Sequence, residues 1–104
     1  MMALQIRFEN DNEWIVFLSG DLDINSSPEL KAKVLEKYES DPKNITFNFS
    51  ELNYLDSTGL GALISIYNNL KENHHRIRIR NLKKNVKKLF QITQLDQEFL
   101  LEEE

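Results

Sequence analysis

The apolar residues in the middle of this chain change their period once, and abruptly. Ile45, Phe47 and Phe49 alternate with Thr46 and Asn48, whereas Leu60, Leu63, Ile64, Tyr67 and Leu70 recur at i, i+3, i+4, i+7 and i+10. The first spacing belongs to a strand with one buried face and the second to an amphipathic helix. A chain that passes from strand to helix to a further strand is committed to a crossover, and strands joined this way lie parallel in one sheet. Between the two patterns stands Asp56-Ser57-Thr58-Gly59-Leu60-Gly61, with two hydroxyls and two glycines at the junction. The first N–H groups of a helix have no intrahelical acceptor and the dipole there is positive, so the junction favours an anionic group. Ser57 is the residue on which a phosphate is best placed. A second reading stays open, in which Ser or Thr only caps the helix and Gly59 and Gly61 allow it to pack closely on the sheet. Each glycine costs roughly 1 kcal/mol relative to Ala inside a helix, which points to a need for bare backbone in the first turn.

The remaining segments supply the frame. Leu4, Ile6 and Phe8 alternate with polar residues, Asn10-Asp11-Asn12 has turn composition, and Trp14 to Leu18 is an apolar run, together a hairpin. Gly20 to Ser27 is a polar loop ending in Ser27-Pro28-Glu29, where Ser as N-cap, Pro at the first position and Glu in the first turn predict a helix start. Leu30, Val34 and Tyr38 continue that helix and Asp41-Pro42 stops it. Arg76 to Arg80, with Ile77 and Ile79 between the arginines, predicts a fourth strand. Asn81 precedes a last helix carrying Val86, Leu89 and Phe90, and Leu95, Phe99, Leu100 and Leu101 predict a short strand or docked tail. Glu102 to Glu104 are expected to fray.

The predicted fold is therefore α/β, one small domain over residues 1–104, with a mixed sheet of four to five strands and helices mainly on one face. Ligand sites in such sheets gather at the carboxyl ends of parallel strands. The loops Gly20 to Ser27 and Ser50 to Ser57 both leave such ends, so Asp21, Asp23, Asp56, Ser57 and Thr58 are expected on one edge.

Composition narrows the chemistry. The 104 residues contain no cysteine, which removes disulfides and thiolate metal sites and suits a reducing cytoplasm. No apolar run approaches the roughly 20 residues of a membrane span and no charged leader opens the chain, so a cytoplasmic protein without membrane contact is expected. The net charge of -4 is unevenly spread, at -6 over residues 1–60 and +2 over residues 61–104, where Arg76, Arg78, Arg80, Lys83, Lys84, Lys87 and Lys88 cluster. Such a cluster attracts nucleic acid or acidic protein. Its plainer reading is a solvated strand face running into a solvated helix, and no aromatic residues interleave it as base-stacking platforms. Ser57 has neither a G-x-S-x-G frame nor a neighbouring His, since His74 and His75 lie together at the far end of the following helix and read as solvated turn residues and not metal ligands, which argues against an enzyme. The Asp21, Asp23, Asn25 spacing begins like a calcium loop, but Ser26 and Ala32 occupy its glycine and bidentate Glu positions, so no metal is expected. No cofactor is expected either.

Gly20-Asp21-Leu22-Asp23, Phe47-Asn48-Phe49-Ser50, the run Tyr54 to Leu63, and Leu89-Phe90 with Leu95-Asp96 and Phe99 resemble, in order, the STAS domain family of bacterial anti-sigma factor antagonists. That resemblance implies a small mixed sheet with helices and a serine after the motif aspartate that a partner, both anti-sigma factor and serine kinase, phosphorylates. It also implies a PP2C-type phosphatase that reverses the step. By position the phosphoacceptor is Ser57, with Thr58 second. Asp23 matches a position implicated in partner recognition, and Asp21, Asp56, Thr58 and Gly59 complete the expected docking edge. Thr58 stands where a second serine is frequent, and Ser50 replaces an aspartate common at the strand's end. The alternative implied by the same family is a scaffold or accessory subunit of a stress-signalling or transporter complex, without phosphorylation. Neither reading implies direct nucleic-acid binding.

Overall fold

The computed structural model describes residues 2–103. Strands β1 (Gln5–Asn10), β2 (Trp14–Leu22), β3 (Ile45–Leu55), β4 (Ile77–Leu82) and β5 (Leu100–Glu103) lie side by side in that order. Between them run helices α1 (Ser27–Ser40), α2 (Ser57–Glu72) and α3 (Lys84–Ile92), and a 3-10 turn at Leu95–Gln97 leads into β5. β1 is antiparallel to β2, and every later neighbour is parallel, as strands returned by helices must be. The mixed α/β sheet predicted from the period change and the amino-terminal hairpin is the one observed.

Alternation decides which side chains the helices cover. Val16 and Leu18, Phe47 and Phe49, and Ile77 and Ile79 are buried in one core with Leu30 and Val34 of α1 and Leu63, Ile66 and Leu70 of α2. Phe99 joins α3 to α2, with its ring 5.5 Å from that of Phe90 and 5.2 Å from that of Tyr67. The opposite face carries Arg7, Phe17, Asn48, Arg78 and Arg80, all partly or fully exposed. There the Arg7 guanidinium lies 3.9 Å over the Phe17 ring and shields it from water.

Four local expectations are corrected. β2 continues through Gly20 to Leu22 and β3 through Ser50 to Leu55, where loops were expected. Residues 50–55 of β3 lack alternation because only Leu52 is buried, and two register shifts in β2 obscure the period further. Gly20 sits at one of these shifts with φ 101°, and a Cβ there would lie 2.3 Å from the Ala3 carbonyl oxygen. The second correction is the N-cap of α1, which is Ser26 and not Ser27, and its hydroxyl makes no capping bond into the helix. Ser27 is buried and donates its hydroxyl back to the Asp23 carbonyl.

The third concerns the carboxyl end. The tail forms β5, and Glu102 and Glu103 are held in it: Glu102 bridges Arg78 and Arg80 at 3.0 and 3.4 Å, and Glu103 pairs with Lys87. The expected fraying of Glu104 lies outside the described residues. Fourth, His75 is not a solvated turn residue. It is half-buried edge-on to Tyr38, with ring centroids 5.5 Å apart, and its Nδ1 meets the Tyr38 hydroxyl. Desolvation by burial raises the Tyr38 phenol above its ordinary pKa.

Phe47 is fully buried in the central strand, so Phe47→Ala leaves a cavity that backbone pairing on both sides prevents from closing. It is expected to cost about 3 to 5 kcal/mol, read as a lowered urea midpoint at unchanged slope.

Candidate functional site

β3 ends at Leu55 and α2 begins at Ser57, so a single residue, Asp56, makes the junction. Its extended backbone (φ -111°, ψ -175°) turns its side chain over the first helical turn, where Oδ1 accepts the Gly59 N–H at 2.9 Å. The cap is therefore Asp56, and not Ser57 or Thr58 as the capping reading supposed. That assignment releases both hydroxyls. Ser57 and Thr58 are exposed, and among the described residues neither hydroxyl nor main-chain N–H has a hydrogen-bond partner. The junction thus presents two N–H donors and two hydroxyls to solvent at the positive end of a 16-residue helix.

The two glycines that follow have different reasons to be there. A Cβ on Gly59 would lie 2.6 Å from the Leu22 carbonyl oxygen and 2.8 Å from the Leu22 and Leu55 side chains. Gly59 therefore lets α2 start tight against the end of β2, where the Asp56 N–H also reaches the Leu22 carbonyl at 3.4 Å. Gly61 is exposed, and nothing lies within 4 Å of a Cβ built on it, so close packing on the sheet explains Gly59 alone.

Asp21, Asp23 and Asp56 converge on one cleft of about 290 Å³, completed by Ile24 and Tyr54. Like Asp56, the other two carboxylates also hold the backbone. The Asp21 carboxylate accepts the Met2 N–H at 2.9 Å, and Asp23 Oδ1 accepts the N–H groups of Asn25 and Ser26 at 2.9 and 3.2 Å. Both side chains are buried, which sequence alone did not reveal. What protrudes beside them is Ile24, 68% exposed, and Tyr54, 49% exposed. Sequence reasoning missed this pair, and a single apolar residue within the otherwise polar Asp23 to Ser27 loop was the available signal for Ile24.

Thr58 lies elsewhere. It lines a shallow groove of about 370 Å³ between α1 and α2 with Pro28, Lys31, Gly61 and Ser65, whereas its neighbour Asp56 lines the acidic cleft. Asp21, Asp23 and Asp56 are thus brought together, Ser57 follows directly on Asp56, Gly59 is tied to Asp56 by the capping bond, and Thr58 opens onto a second surface. No group of three or more His, Asp or Glu side chains among the described residues is placed to hold a metal ion. Among the described residues no helix is long and apolar enough to cross a membrane.

The sequence profile of the STAS domain family matches residues 4–104. An anti-sigma-B factor antagonist of Bacillus subtilis is 29% identical over 87 residues, covering 84% of this chain and 79% of that protein. The solved structures that share the fold include two of SpoIIAA. The anti-sigma factor antagonist SpoIIAA in its unphosphorylated form is 22% identical, covers 95% of this chain and 86% of its own, and has a TM-score of 0.75. The Bacillus cell fate determinant SpoIIAA in its phosphorylated form is 23% identical, covers 95% and 90%, and has a TM-score of 0.74.

The two glycines should respond oppositely to alanine. Gly59→Ala drives a methyl group into the end of β2 and is expected to cost more than 1 kcal/mol. Gly61→Ala adds helix propensity in open space and is expected to gain about 0.5 to 1 kcal/mol, so thermal melts of the two variants should bracket the wild type.

Proposed function

Because the chain belongs to the STAS domain family, we propose that it is an anti-sigma factor antagonist whose binding is switched by phosphorylation of Ser57. In this reading residues 1–104 act as one cytoplasmic domain and not as an enzyme. The unmodified edge docks on an anti-sigma factor that is also a serine kinase and so frees the sigma factor, and a PP2C-type phosphatase resets the serine. The observation that carries the reading is the division of labour at the junction. Asp56 satisfies the helix start, which leaves the Ser57 hydroxyl exposed and unengaged among the described residues. The relationship to the Bacillus subtilis antagonist supports the choice of pathway.

The kinase would transfer the γ-phosphoryl group of ATP to Ser57 Oγ, with loss of the hydroxyl proton and release of ADP. The product adds about -1.5 to -2 charges next to the cleft of Asp21, Asp23 and Asp56. Two like charges roughly 5 Å apart repel by under about 1 kcal/mol in water but by about 3 kcal/mol at an effective dielectric near 20, so drying the cleft on docking raises the repulsion that the phosphate adds. Desolvating the phosphate on docking adds to that cost, so affinity falls by roughly tenfold to a hundredfold or more. The fold is kept, because the free N–H groups of Ser57 and Thr58 and the helix dipole favour the anion where it forms.

Docking contacts are assigned to Asp21, Asp23, Asp56, Ser57, Thr58 and Gly59, with Ile24 and Tyr54 as apolar anchors at the rim of the cleft. Incubation with ATP and the anti-sigma factor kinase of the same organism, followed by mass spectrometry, is expected to place one phosphate on Ser57 and none on Ser57→Ala. Ser57→Asp is expected to bind that kinase at least tenfold more weakly than the wild type. Equal affinity for Ser57→Asp, or phosphate on neither Ser57 nor Thr58, transfers the assignment to an unphosphorylated scaffold or accessory subunit.

A further inference from the structure

The basic cluster is only partly used by the fold: among the described residues Arg76 makes no ion pair at the amino end of β4, and two further unpaired cations sit together on α3. Helix α3 begins with Lys83 as N-cap, which makes no side-chain capping bond, and no acidic residue lies in the first turn. Lys84, Lys87 and Lys88 follow, so the positive end of a helix carries four cations, an arrangement that costs stability. Two of the four have local partners: Lys83 Nζ donates to the Leu52 carbonyl at 3.2 Å, and Lys87 pairs with Glu103. Lys87 first, and Lys84 more weakly, hold the Glu103 carboxyl below its ordinary pKa. Lys84 and Lys88 are exposed and make no ion pair among the described residues. One turn beyond Lys88 along the same stripe is Ile92, 70% exposed, while Phe90 on the inner side is fully buried.

This stripe starts on the edge that carries Ser57. Strands β2, β3 and β4 are parallel, so Asp23, Asp56 and Lys83 all follow carboxyl ends at that edge. The bond from Lys83 to Leu52 fastens the start of α3 to the part of β3 that leads into Ser57. The chain's own sequence shows what chemistry the basic surface accepts, for Leu100-Leu101-Glu102-Glu103 already lies along it and pairs with Arg78, Arg80 and Lys87. Nucleic acid fits poorly, since the only aromatic ring of α3 is buried and the chain as a whole is a net anion.

We propose that Lys84, Lys88 and Ile92 form a second docking surface, for an acidic segment with an apolar residue on the same protein partner that docks at the Ser57 edge. This rests on the antagonist reading above and adds to it a basic patch beside β4 on the same edge as Ser57, which fixes the orientation of a partner whose acidic segment must meet it. Phosphorylation of Ser57 would then weaken one half of the contact and leave the other intact.

The test is calorimetric titration of the anti-sigma factor kinase into the full chain and into Lys84→Glu/Lys88→Glu, at about 50 and about 200 mM salt. The double variant is expected to bind at least tenfold more weakly, with a flatter salt dependence and a melting temperature equal to or above the wild type. Ser57→Asp is expected to weaken binding further in either background. Wild-type affinity in the double variant overturns the second surface alone. A kinase that does not bind even the wild type overturns the antagonist reading and this surface with it. Retention of the wild type on a DNA duplex or on phosphatidylglycerol vesicles, lost in the double variant while kinase affinity is unchanged, overturns the protein partner in favour of a polyanion.

Discussion

The closest approach in the molecule on which the site depends is that of α2 to the end of β2. Gly59 stands where any side chain would strike the Leu22 carbonyl, and Asp56 spans the same corner, its N–H turned to that carbonyl and its carboxylate to the Gly59 N–H. With both contacts in place the helix start cannot slide along the strand, so the Ser57 hydroxyl has a defined position relative to Asp21 and Asp23. A side-chain hydroxyl that had to cap its own helix would be engaged with main-chain donors. Giving that duty to the carboxylate one residue earlier keeps the serine available for chemistry.

How far sequence alone reaches can be judged residue by residue. The strand around Phe47 and the helix through Leu63 and Leu70 were legible, because full burial on one side imposes the two periods of the backbone. The convergence of Asp21, Asp23 and Asp56 was legible from the parallel order of the strands. The last six residues of β3 were not, since Ser50, Glu51, Asn53 and Tyr54 are exposed and are held by main-chain pairing to β2, which leaves no apolar pattern to read. Capping also escaped, because Asp56, Ser57 and Thr58 are all competent N-caps and backbone dihedrals choose among them. Gly59 and Gly61 look alike in sequence, and only the distance to Leu22 tells them apart. Glu102 and Glu103 read as a solvated tail because their basic partners lie on β4 and α3, distant in the chain.

Charge is distributed along the edge with the same economy. Asp21 and Asp23 hold the N-terminal segment and the approach to α1 while lending their negative field to the cleft. On the far side, Lys83 and Lys87 fasten α3 to β3 and β5, and their neighbours in sequence face outward. Residues that hold the backbone and residues that face solvent therefore alternate within the same short segments, so loss of one carboxylate disturbs both the local backbone and the surface potential.

The extension of β3 has a mechanical consequence. Beyond Asn48 the strand no longer pairs with β4 and continues to Leu55 beside β2 only, crossing two shifts of register. The segment that presents Tyr54 and leads into Asp56 is thus a two-stranded arm projecting from a five-stranded slab, tied back to the β4 side by the thin links Asn81 to Asn48 and Lys83 to Leu52. Two-stranded ribbons twist more than wide sheets, and irregular register adds to the twist. Leu22 and Leu52 of the arm are buried in the core and Gly59 sits tight on Leu22, so a load applied at the tip is passed to the start of α2 and not absorbed by the ribbon.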